Sequence, residues 1–164
     1  MKFEETFDFD YPAETILKMF GDKDYYLKKY ERMGGNAPEV LDTTAEGDKF
    51  SISVRHALDA SRMSFPDFIK SRLGDSLYLK QTDAWQLDQS RGRLDIEIEK
   101  APVKIHADMH ITNQGSGSRM TLTYEIDASI PLIGGKVEKA VAGPIAKHTK
   151  KDLKITNEMA ADYA

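Results

Sequence analysis

Phe3, Phe7, Phe9 and Tyr11 fall on one parity of the opening segment, and Lys2, Glu4, Thr6, Asp8 and Asp10 on the other. Successive side chains of a strand point to opposite faces, so this alternation predicts a strand with one face buried. Pro12 suits the first turn of a helix, and Glu14 favours its positive end. Ile16, Leu17, Met19 and Phe20 give that helix an apolar face, and Gly21 ends it. A second short helix follows. Asp22 or Asp24 can cap it, and Tyr26, Leu27, Tyr30 and Met33 fall near one face.

Beyond Asn36 the period changes from helical to alternating. A short strand, a turn at Glu46-Gly47-Asp48 and a longer strand come first. On the longer strand Phe50, Ile52, Val54, His56 and Leu58 share the core parity, with Ser51, Ser53 and Arg55 opposite. The stretch DASRMSFPDFIKSRLGD then breaks the alternation. It reads as a long loop with a helical turn, and Met63, Phe65, Phe68 and Ile69 suit a rim or lid. Four more strands follow, with turn residues between them, including NQGSGS before the last. A terminal helix runs from the glycines of IPLIGG, with Val137, Val141, Ile145, Ile155 and Met159 on one face and Leu153 beside it. Gly143-Pro144 lies inside that pattern and predicts a bend, because proline removes a backbone hydrogen bond. The antiparallel meander needs a cover for its apolar face, and this helix is the element long enough to provide it.

Three motifs support a family resemblance. FDYPAETILKMF joins a strand to a proline-started helix, APVKIHADMHI opens a strand on Ala-Pro-Val, and PLIGGKVEKAVAGPIAKH joins the last strand to the helix. With the order of elements, these resemble the START-like (SRPBCC) superfamily, closest to a bacterial START-like family of uncharacterised function. The resemblance covers nearly the whole chain and implies an α+β helix-grip fold. A long C-terminal helix then packs across a curved antiparallel sheet, with two short helices after strand 1, in a single domain over residues 1–164. It implies a cavity between sheet and helix that holds a hydrophobic small molecule or lipid. Some relatives, the polyketide aromatase/cyclases, do chemistry there, and others only bind or transport.

The informative residues are polar ones at core-parity positions, since a buried polar group costs free energy without a partner. Leu77, Leu79, Trp85 and Leu87 share parity with Gln81 and Asp83, which puts two polar side chains mid-strand on the inward face. A wet cavity accepts them; a bulge or a local pairing of Asp83 would also account for them. His56 is inward by parity, as a cavity residue or a satisfied histidine at the sheet rim. Tyr124 shares parity with Met120, Leu122 and Ile126 and can offer a hydroxyl, or serve as a core aromatic. His148 falls near Ile145 on the helix face, over the cavity or at its mouth. The cavity candidates are thus His56, Gln81, Asp83, Trp85, Tyr124, Ile145 and His148.

Other chemistry finds little footing. His106 and His110 take the outward parity and should face solvent. Their spacing on a strand is too wide to chelate one ion, so no metal site and no cofactor are expected. The glycines of GGK lack the earlier glycine of a phosphate loop, and Val137 stands where Ser or Thr would follow the lysine. With a net charge of −4 the chain lacks the footprint of a nucleic-acid binder. The run KHTKKDLK, Asp152 included, reads as a solvated helix face. No cysteine is present, so no disulfide or thiolate site forms. The acidic N-terminal segment is no signal peptide, and no apolar run reaches spanning length, so a cytoplasmic protein without stable membrane insertion is expected.

Three functions stay open. One is a binding module for a hydrophobic ligand. Another is a cyclase- or hydratase-like enzyme using Asp83, His56 or His148 as acid or base, for which no catalytic motif is evident. The third is a structural or interaction protein with a closed core.

Overall fold

The computed structural model describes residues 1–33, 36–59, 67, 71 and 76–164. Along the chain come β1 (Lys2–Phe9), α1 (Ala13–Phe20), α2 (Lys23–Arg32), β2 (Asn36–Glu46), β3 (Lys49–Asp59), β4 (Ser76–Gln86), β5 (Arg91–Ile98), β6 (Val103–Gln114), β7 (Gly117–Ala128) and α3 (Gly134–Met159). Single 3-10 turns cover Leu87–Gln89 and Ala160–Tyr163. Met63, Phe65, Phe68 and Ile69, expected at a rim or lid, lie outside the described residues.

The strands form one seven-stranded sheet in the order β1-β7-β6-β5-β4-β3-β2, antiparallel at every pair. β2 to β7 are a meander, and β1 adds to its far edge against β7. Inward residues run in rows across the pleat, for example Ile52, Asp83, Leu94 and Ala107. α3 packs across that face against β7 and β1, and α2 packs against α3. This is the α+β helix-grip arrangement, with a curved sheet gripped by the terminal helix.

Local chemistry explains the joints. Pro12 precedes α1, and the Ala13 N–H donates to Asn113 Oδ1 at 2.8 Å. Asp22 caps α2 by accepting from the Asp24 N–H at 3.0 Å. A Cβ on Gly92 would sit 2.6 Å from the Trp85 ring, so only glycine lets that indole lie across β5. The β6–β7 hairpin is tighter than NQGSGS suggested. Asn113 and Gln114 belong to β6, and Gly115 turns the chain at φ +60°. The first strand after the helices is also longer than expected, with pairing irregularities near Glu39 and Val40.

Two readings of α3 need correction. Ile155 is only half-buried, whereas Leu153 and Thr156 are buried with Val137, Val141, Ile145 and Met159. At about 100° per residue, Thr156 returns to the azimuth of Ile145 and Ile155 falls beside it. Asp152 is not on a solvated face either. It turns inward and pairs with Lys29 of α2, while Lys147, Lys150, Lys151 and Lys154 remain outside. The helix runs unbroken through Pro144.

Candidate functional site

β4 turns Gln81, Asp83 and Trp85 inward, and all three are buried. On the adjacent β3, His56 is also buried, and its Nε2 lies 3.4 Å from Gln81 Oε1. The Gln81 amide in turn reaches Asp83 Oδ1 at 3.5 Å. No bulge separates these residues, since β3 and β4 stay in register from Lys49/Gln86 to Asp59/Ser76. Alternation alone therefore delivers a row of polar side chains into an apolar interior.

The helices complete the cluster. Lys29 of α2 is only 3% exposed, and its Nζ lies 3.2 Å from Asp152 Oδ2 on α3. Its ammonium also sits over the rings of Tyr25, Tyr26 and Tyr30, 4.9 to 5.2 Å from their centroids. Thr156 donates to the Asp152 carbonyl at 2.9 Å, which leaves Tyr25 as the donor in its 2.7 Å bond with Thr156 Oγ1. Tyr30 stacks on His56 at 4.4 Å, and Phe20 stacks on Trp85 at 4.8 Å.

A void of about 30 Å³ lies among these groups. Lys29, Gln81, Asp83, Trp85, His148 and Asp152 supply its polar lining, and Leu94, Ile96, Met109 and Leu122 part of its apolar wall. At roughly 10–15 Å³ per water this is room for about two water molecules. A smaller void of about 10 Å³ lies between α3 and β1, beside Tyr124, Thr149 and Leu153. The structure thus brings His56, Gln81, Asp83, Trp85 and His148 into one cluster. Tyr124 belongs to the other side, stacked on Phe3 at 4.7 Å, and Ile145 is a buried core residue.

Burial sets the electrostatics. It pushes the Asp83 carboxyl up to about 6 against the pull of Lys29. It pushes the His56 imidazole down to about 4, although the bond to Gln81 opposes the shift. His148 is lowered for the same reason, with Asp152 opposing. For Lys29 burial is the largest single effect and works against the charge, but Asp152, Tyr25, Tyr30 and Asp83 together outweigh it and hold the ammonium well above its usual range. At neutral pH the cluster therefore holds one cation, Asp152, a carboxyl that titrates close to neutrality and two uncharged histidines. The buried atoms Tyr30 Oη, His56 Nδ1 and Trp85 Nε1 make no hydrogen bond. Chemically, such an arrangement can orient a polar group on an apolar molecule, or exchange a proton through Asp83.

Sequence reasoning missed Lys29, Asp152, Tyr25 and Tyr30 as members of this cluster. The signal was there. Lys29 stands four residues after Tyr25 and three after Tyr26, on the buried face of α2, and Asp152 stands seven after Ile145. His106 and His110 lie on the outer, solvent face of the sheet, as their parity requires, and are half-buried there. His106 Nε2 lies 3.1 Å from Glu125 Oε2. A wider hollow of about 520 Å³, open to solvent, is lined by Lys49, Ser51, Ala84, Gln86, Arg91 and Arg93 among others, and also touches Gly92 and the buried Phe50 and Trp85. The first six are exposed or half-buried on the sheet's solvent face, whereas the interior void gathers the buried or half-buried titratable groups Lys29, Asp83, His148 and Asp152 and is the candidate site.

Comparison with solved structures shows the same fold at low identity. A protein from Thermus thermophilus, TTHA0849, is 17% identical with a TM-score of 0.66, over 99% of this chain and 98% of that one. The Zhui aromatase/cyclase from Streptomyces sp. R1128 is 11% identical with a TM-score of 0.68, over 98% and 93%. A START superfamily protein from Mycobacterium smegmatis is 16% identical with a TM-score of 0.62, over 96% and 97%. These likenesses establish the START-like fold. A search of curated proteins finds no match. A family model spans residues 4–159, from β1 to the end of α3, and the chain belongs to that family, described as "Protein of unknown function (DUF2505)".

Proposed function

We propose that this chain binds a hydrophobic small molecule or lipid between the sheet and α3, with the ligand's polar end against Asp83, Gln81, Lys29 and His148. One observation carries the reading: a buried polar cluster, in which the Trp85 indole N–H is unpaired, lines a void whose remaining wall is apolar. A closed core has no use for such groups, because each costs free energy without a partner. The Trp85 indole N–H is both unpaired and part of the void's lining, and it can donate to an oxygen of the ligand. We take residues 1–164 as one domain acting in the cytoplasm, with neither nucleic acid nor a cofactor in its function.

The void of about 30 Å³ is far below the several hundred Å³ of an ordinary ligand site, so the cavity must open. The α2–α3 seam is where opening costs least. Its contacts are polar: Tyr25 with Thr156, Lys29 with Asp152, and Arg32 with Glu158 at 2.6 Å. Water can replace these contacts more readily than it can replace apolar packing. Trp85 is the sole tryptophan of the chain and lines the void, so its fluorescence reports occupancy directly. Titration with long-chain lipids and fused-ring aromatics should give a saturable change in Trp85 emission together with a rise in Tm. A flat response across both classes favours the closed-core reading.

A second reading, a cyclase- or hydratase-like enzyme, draws on Asp83 and His148 lining the same void. An acid and a base facing one space can share a proton transfer. It requires turnover of a bound ligand that Asp83→Asn abolishes while binding persists.

A further inference from the structure

The joint between β7 and α3 carries an unusual surface. Leu132 is wholly exposed, at 106% of its reference area, with Ile133 at 40%. Pro131 beside them is exposed as well. Of the four large hydrophobic side chains exposed among the described residues, Met1, Leu132 and Ile133 share this end of the molecule, and Leu41 lies apart on β2. Leu132 also has φ +70°, a left-handed conformation that a branched side chain rarely adopts.

The joint is rigid rather than loose. The Gly134 N–H donates to Ile130 O at 2.9 Å, and the Val137 N–H donates to Ile133 O at 3.0 Å. A Cβ on Gly134 would sit 2.6 Å from the Ala128 carbonyl oxygen, so the glycine lets the turn close against the end of β7. Leu132 is thus held out into solvent by ordered backbone on both sides.

The exposed charges on the first turns of α3 are positive. Lys136 and Lys139 are exposed, and the first turn of α3 carries no acid. The acid of the next turn, Glu138, is turned inward. One of its oxygens accepts from the Ala128 N–H at 3.1 Å, and the other lies 3.2 Å from the Met1 amine. A positive outward patch on a chain of net charge −4 is complementary to an anionic surface.

We propose that Pro131, Leu132 and Ile133 dock this protein reversibly on an anionic lipid bilayer, the apolar side chains entering the interface and Lys136 and Lys139 meeting the headgroups. A convex knuckle favours a deformable surface over a protein partner, which would need a matching pocket and a broad rim. Among the described residues no helix is long and apolar enough to cross a membrane, so the contact is peripheral. The inference is independent of which ligand the interior takes.

Co-sedimentation with phosphatidylcholine vesicles, with and without phosphatidylglycerol, tests it. Binding should require phosphatidylglycerol and weaken as salt is raised. Leu132→Glu should cut it by about tenfold or more, and so should the pair Lys136→Glu and Lys139→Glu. Leu132→Gly should fold at least as stably, since glycine accepts φ +70°, yet bind vesicles as weakly as Leu132→Glu. Leu41→Glu should bind like the parent. The proposal is overturned if the parent ignores anionic vesicles or if Leu132→Gly binds as well as the parent. It is also overturned if light scattering shows that Leu132 instead holds two copies of the chain together.

Discussion

Asp83 and His56 sit on neighbouring strands, and their protonation pulls stability in opposite directions. Asp83 is raised from 3.8 to about 6, so the folded protein holds its proton more tightly than the unfolded chain, and folding is favoured as pH falls through that window. His56 is lowered from 6.5 to about 4, so the unfolded chain takes up the proton first, and folding is disfavoured over nearly the same range. His148 acts in the same sense as His56. The two kinds of group largely offset one another in the parent. Asp83→Asn removes one side of the balance. The variant should be more stable than the parent at pH 7, by about 1–3 kcal/mol, because a costly buried charge has gone. It should then lose stability more steeply between pH 6.5 and 4, and urea unfolding at stepped pH measures both effects. At this scale the alternation of the strands was a good guide. It put His56, Gln81, Asp83 and Trp85 on the inward face because a strand has only two faces. It left open whether they would meet, because that depends on register with a neighbour and on which helix lies above.

Between elements, the seam of α2 and α3 holds the least expected feature. Lys29 and Asp152 were hidden because a charged residue inside a mixed helical run is usually solvated, and only the partner helix reveals otherwise. Lys29→Met should destabilise by about 3–5 kcal/mol, since it leaves Asp152 and Asp83 without their cation. Replacing Asp152 by leucine in the same chain should recover a substantial part of that loss, because the pair is then removed together. Thermal unfolding of the two single variants and the double variant measures the coupling. If Lys29→Met alone were neutral, the Lys29–Asp152 pair would contribute nothing to holding α2 on α3. The terminal helix itself was legible in outline. Its buried face was displaced by one residue near the end, Thr156 for Ile155, because a small error in azimuth accumulates along a helix of this length.

At the scale of the whole molecule, the meander and the gripping helix follow from the change of period at Asn36 and again at the IPLIGG joint. The position of β1 beside β7 does not follow from local pattern. It arises because β7 would otherwise be left as an open edge beneath α3. The interior volume was also beyond the sequence. Polar residues at core parity signal a site, but not whether that site stands open or closed. The central claim is that the interior of this fold takes up an apolar ligand through the polar cluster around Asp83. Native mass spectrometry of the protein purified without denaturation tests that claim most directly. The account predicts a discrete added mass of a single apolar small molecule, retained by the parent and diminished in Asp83→Leu. Protein of bare mass, in both the parent and the variant, and with no ligand taken up from added lipids or aromatics, would contradict it.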